Sequence, residues 1–138
     1  MKVFRFMSKE EFEKYLKGET LTNATDHSKM HGSDAVGFCF LEFKGIESVR
    51  KAFLFLIGLV NTDVLVVFKA PDDFLKKGKA TVSDPDRYEE FETMEVEELS
   101  CLSYSKNELK LIDFVYDFDY NTPINQINWF FHSDLIGE

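Results

Sequence analysis

The first strand-like stretch, Val3-Phe4-Arg5-Phe6-Met7, lodges a guanidinium between two phenylalanines. An arginine in such a place either lies on the solvent face or reaches into a cleft to hold a phosphate or carboxylate. Two neighbouring acids, Glu97 and Glu98, sit in a late and otherwise apolar stretch, Val96-Glu97-Glu98-Leu99-Ser100-Cys101. A carboxylate so placed can stabilise a developing positive charge. Cys39 lies inside Phe38-Cys39-Phe40 with no cation in its own strand to favour a thiolate, so it reads as a packing residue rather than a nucleophile. His27 and His31, with Asp26, would suit a metal only if their loop were helical, and exposed loop histidines are the reading adopted. The acids of Asp117-Phe118-Asp119-Tyr120 could meet a cation, but outward acids that discourage edge pairing are the commoner cause. No phosphate loop, dinucleotide glycine fingerprint or zinc-protease motif is present, and no metal is expected.

The elements that must carry these groups follow from periodicity. Residues 2–7 alternate as a strand. Ser8 and Glu11 then form a capping box for a helix with Phe12, Tyr15 and Leu16 on one face, ended by Gly18. Residues 19–35 are polar and unpatterned, as in a binding loop. Residues 36–43 make a second strand, and 46–60 a nearly all-buried helix through Val49, Phe53, Leu56, Ile57 and Val60. The β-branched run at 63–68 reads as a central strand covered on both faces. A short helix is expected from Pro71 and Asp72 to Gly78.

Residues 91–104 and 108–120 then read as neighbouring strands, the second with Ile112, Phe114, Tyr116 and Phe118 inside and Asp113, Asp117 and Asp119 in water. Thr122 and Pro123 open a closing helix, so residues 119–138 form a helical tail packed on the rest. The fold class is α+β: one compact domain with mixed parallel and antiparallel sheets and flanking helices. A single core is expected, built from Phe4 or Phe6 with Phe12, Leu16, Phe53, Leu56, Ile57, Val64, Val66, Ile112 and Phe114.

Charge narrows the partners. Residues 1–71 hold ten Lys/Arg and nine Asp/Glu, a net of +1, whereas residues 72–138 hold six and sixteen, a net of −10. That balance argues against binding a nucleic-acid phosphate backbone, which needs basic patches. It admits a non-enzymatic acidic protein, such as an inhibitor, an immunity-type protein or a DNA mimic, that meets a basic partner surface through anchors such as Tyr120, Trp129 and Phe130. The longest apolar run, residues 52–60, falls short of the ~20 residues that cross a bilayer. With two isolated cysteines, Cys39 and Cys101, and no leader pattern, the expected compartment is the cytoplasm.

An Arg-bearing first strand, a capped helix, a long polar loop, a strand opening Gly37-Phe38, a helix, a buried strand and a late acidic strand occur in that order. That order resembles the ADP-ribosyltransferase fold of NAD-dependent mono-ADP-ribosyltransferases and poly-ADP-ribose polymerases. In that family the first strand carries an Arg or His that orients NAD, the middle strand Ser-Thr-Ser or a Tyr, and a late strand the catalytic Glu. The resemblance implies Arg5 as a NAD contact, Phe38 or Phe40 as a wall against the nicotinamide, and Glu98, or alternatively Glu97, as the catalytic acid. It also implies that Arg5 and Glu98 line one pocket. This chain departs from the pattern at the middle strand, where Phe and Cys replace Ser-Thr-Ser, so a catalytically degenerate NAD-binding protein also fits.

Overall fold

In the computed structural model, residues 1–22, 37–56, 60–82 and 94–118 are described. One six-stranded sheet organises them, in the order β5-β6-β3-β1-β4-β8. Its strands are β1 (Lys2–Met7), β3 (Phe38–Glu42), β4 (Val64–Lys69), β5 (Lys76–Val82), β6 (Met94–Cys101) and β8 (Lys110–Tyr116). A small second sheet pairs β2 (Leu21–Thr22) with β7 (Ser103–Tyr104). The helices are α1 (Lys9–Leu16) and α2 (Ile46–Leu56). The architecture is α+β, but among the described residues every strand pair in both sheets is antiparallel, and the one parallel contact is an isolated bridge from Gly37 to Cys101.

Alternation along β1 sends Val3, Arg5 and Met7 to one face and Phe4 and Phe6 to the other. The single expected core is therefore two apolar layers, one on each face of the sheet. The first gathers Val3, Met7, Phe40, Val66 and Phe68 under Phe12 and Tyr15 of α1 and Tyr104 of β7. The second gathers Phe4, Phe6, Leu65 and Val67 under Val49, Ala52 and Phe53 of α2. Leu16, expected inside, is 38% exposed, because it lies about 100° round the helix from Tyr15, which takes the buried face of that turn. Central β4 is buried from Val64 to Phe68, as a run without polar residues requires.

α1 begins and ends as its sequence signals. Ser8 Oγ accepts the Glu11 N–H at 3.0 Å. At the other end Gly18, at φ 83°, closes a Schellman turn in which Gly18 N–H donates to Tyr15 C=O and Glu19 N–H to Lys14 C=O.

Three local expectations give way. The short helix over 71–78 is one turn, with Phe74 N–H on Pro71 C=O at 3.2 Å, followed by strand β5. Lys76-Lys77-Gly78-Lys79 has no apolar stripe to bury as a helix. As a strand it gains a seven-residue ladder with β6 that sets Lys79 opposite Glu97. β6 and β8 are not neighbours, since β6 lies between β5 and β3 whereas β8 pairs with β4 at the other edge. In β8, a register shift against Val67 and Phe68 puts Ile112 and Phe114 on different faces. Asp113 then points toward the α2 layer, where burial pushes its carboxyl above the ordinary range. The helical tail at 122–131, the loop histidines and Ile57 lie outside the described residues.

Candidate functional site

The cluster with the most polar chemistry is built around Arg5. β1 hands directly to Ser8 and then to α1, so the third helical residue, Glu11, falls back over the face that Arg5 occupies. The two side chains meet fork to fork: Arg5 Nε to Glu11 Oε2 at 2.8 Å and Nη2 to Oε1 at 3.0 Å. Tyr104, fully buried on β7, donates its hydroxyl to the same Oε2 at 2.6 Å. The capping box is therefore half of one: Ser8 caps the helix, while both oxygens of Glu11 turn to Arg5 and Tyr104.

The third arm of Arg5 reaches the neighbouring strand. Leu41 and Phe43 face β1 with their backbone polar groups, since Phe4 pairs with Leu41 and Phe43 N–H donates to Lys2 C=O at 2.9 Å. By the same two-residue parity Cys39 also faces β1, yet the β1–β3 ladder consists only of Val3↔Glu42 and Phe4↔Leu41. Arg5 Nη1 donates to the Cys39 carbonyl at 3.0 Å where the next ladder bond would lie. Beneath it, the guanidinium carbon sits 5.1 Å from the Phe38 ring centroid and 5.7 Å from that of Phe40.

Electrostatics follow from burial and pairing. Burial opposes the charges of Arg5 and Glu11, with side chains only 18% and 16% exposed. For Arg5 the hydrogen bonds and charge of Glu11 outweigh that cost and raise its pKa. For Glu11 the Arg5 fork, with help from Tyr104, outweighs burial and holds the carboxyl below the usual range. Burial first, and then the Glu11 charge, push the Tyr104 phenol upward. The pair is ionised and matched at neutral pH.

Gly37 shapes the approach of β3 to β6. Its φ is 63°, and a Cβ there would stand 2.5 Å from the Cys101 carbonyl oxygen and 3.0 Å from Leu102 Cα. Only a glycine lets the strand enter at that distance and deliver Phe38 beneath Arg5.

Arg5, Phe38 and Phe40 are thus brought together. Phe38 is 6% exposed and Phe40 1%, and their rings meet Arg5 and, edge-on, Tyr104. They form a floor for the guanidinium rather than an open wall. In β6, Leu99 and Cys101 belong to the Arg5-side layer and stand opposite Phe40 and Phe38. Alternation then puts Glu97 on that face too, exposed, and Glu98 on the other face. Arg5 and Glu98 do not share a side of the sheet. Cys39, by the same parity, directs its thiol away from Arg5 and is half-buried.

Glu11 and Tyr104 are the members that residue-by-residue reading passed over. Glu11 carried a signal, being an acid at the helix position nearest the preceding strand, but its capping role concealed it. Tyr104 carried none, because it arrives from 93 residues further along. Among the described residues no group of three or more His, Cys, Asp or Glu is placed to hold a metal ion. Nor is any described helix long and apolar enough to cross a membrane. No family model matches the chain, and no curated protein or solved structure matches it.

Proposed function

We propose that this chain is a cytoplasmic NAD-binding domain of ADP-ribosyltransferase-like layout, with Glu97 as the acid on its binding face. The observation that carries the reading is strand adjacency. Groups on three strands can converge on one ligand only if those strands are neighbours. The strands bearing the three positions of the resemblance, β1, β3 and β6, lie side by side. Cys39 and Cys101 form no disulfide, which suits a reducing compartment.

Arg5 retains capacity for a ligand. A guanidinium has five N–H groups, and Glu11 and the Cys39 carbonyl engage three, leaving one on each Nη. These two donors suit a phosphate or a ribose hydroxyl pair, and the Glu11 fork fixes the guanidinium plane in advance. Phe38 and Phe40 act through Arg5 by supporting it from below. Glu97 is the carboxylate free to face a ribose, where it would stabilise the oxocarbenium-like charge that develops as nicotinamide leaves.

Calorimetric titration with NAD, together with an assay of nicotinamide release, tests the proposal. Wild type should bind NAD. Arg5→Lys should weaken binding by about tenfold, the equivalent of 1.4 kcal/mol. Glu97→Gln should preserve binding and abolish release, while Glu98→Gln leaves both unchanged. Absence of any NAD response in folded wild type overturns the reading, and loss of release in Glu98→Gln alone returns the acid to the other face.

A further inference from the structure

The sheet is joined unevenly at its middle. β1 is bridged to β4 over six residues, from Lys2 to Met7, but to β3 over only two. β3 in turn holds β6 through Phe38, Cys39 and Phe40, the residues beyond its contact with β1. Past Phe4 the sheet therefore divides into a β1-β4-β8 part and a β3-β6-β5 part. What spans the division on the α1 side, besides the Phe40 ring against Phe68 of β4, is Arg5, rooted on β1, bonded to the Cys39 carbonyl of β3 and lying over Phe38 and Phe40. Arg5 is itself gripped by Glu11 from α1, and Glu11 by Tyr104 from β7.

We infer that the Arg5–Glu11–Tyr104 triad is a latch: it holds the two halves of the sheet together beyond Phe4, and its release parts β3 from β1 without unfolding β4. The physical reason is the contrast in attachment. The Val64–Phe68 strand is secured by two ladders and by apolar layers on both faces. The seam beside Cys39 is secured by no backbone ladder to β1, only by the Phe40–Phe68 ring contact and by a polar side chain whose orientation depends on one carboxylate.

Protonating that carboxylate is the natural release, because a neutral acid cannot match the guanidinium fork. The groups that act on Glu11 are Arg5 from β1, Tyr104 from β7 and Cys101 from β6, and Glu108, from the turn before β8, acts on Cys101. Arg5 is the cation among them and carries the coupling; Glu108 has a partner of its own in the Ser105 hydroxyl. The latch is independent of NAD and stands or falls by itself.

Hydrogen exchange read by peptide, with native-state labelling of Cys39, tests it at pH 7 in wild type, Glu11→Gln and Tyr104→Phe. Losing a charged hydrogen-bonding partner implies opening about 10- to 100-fold more frequent. In Glu11→Gln the segment 38–42 and the Cys39 thiol should accelerate by that factor, while segment 64–68 slows or quickens by less than threefold. Tyr104→Phe, which keeps the ring and removes one hydrogen bond, should give the same pattern at roughly a tenth of the size. If Glu11→Gln does not fold, Tyr104→Phe must still show the local pattern. Equal acceleration of both segments, or none at 38–42, overturns the latch.

Discussion

Replacing Arg5 by Met removes the guanidinium and leaves its apolar stem to cover Phe38 and Phe40. The Glu11 carboxylate, 16% exposed, is then left with the Tyr104 hydroxyl as its donor. Breaking a buried pair by removing one member costs about 3–5 kcal/mol, and the residual exposure of this pair points to the lower end, about 3 kcal/mol. Adding Glu11→Gln removes the stranded charge and keeps an acceptor for Tyr104, so the double variant should recover about 2 kcal/mol.

The pH dependence separates this account from simple loss of packing. In wild type the folded Glu11 pKa lies below its unfolded value of about 4.3. The pair's contribution is therefore complete above that value and is lost as pH falls through the folded pKa. In Arg5→Met burial acts without the cation and the folded pKa rises above 4.3. That variant should gain stability relative to wild type as pH falls from 7 toward 4. Urea unfolding of wild type, both single variants and the double variant at pH 7, 5.5 and 4 measures both effects. A loss below about 1 kcal/mol at pH 7, with parallel pH profiles for wild type and Arg5→Met, would refute a buried, matched ion pair.

Gly37→Ala should destabilise by about 3 kcal/mol or more in the same unfolding assay, since positive φ alone costs about 1–2 kcal/mol and its Cβ meets backbone that cannot easily retreat. Burial pushes the Cys101 thiol up to about 12, so it should resist a thiol reagent at pH 8 in the native state and react rapidly in urea. Fast native labelling of Cys101 would contradict its burial in the Arg5-side core.

What the residues settle locally, the sequence settles. Ser8 and Gly18 bound α1 because a side-chain acceptor and a left-handed glycine are local devices. The uninterrupted Val64–Phe68 run could only be a strand covered on both faces. Pairing is not local. Lys76–Val82 became a strand because an acidic partner strand lay beside it, and β6 and β8 fell in opposite halves of the sheet because one paired with β3 and the other with β4. The expected single core became two layers once alternation was referred to a sheet with helices on both sides. The candidate site shows the same division. Arg5 and the glycine before Phe38 announced themselves by composition, and the nearness of β1, β3 and β6 did not. Glu97 and Glu98 are adjacent in the chain and chemically alike, and which of them faces Arg5 depends on the register of β6 against β3. A one-residue difference in a strand is a change of face, and only the paired strand fixes it.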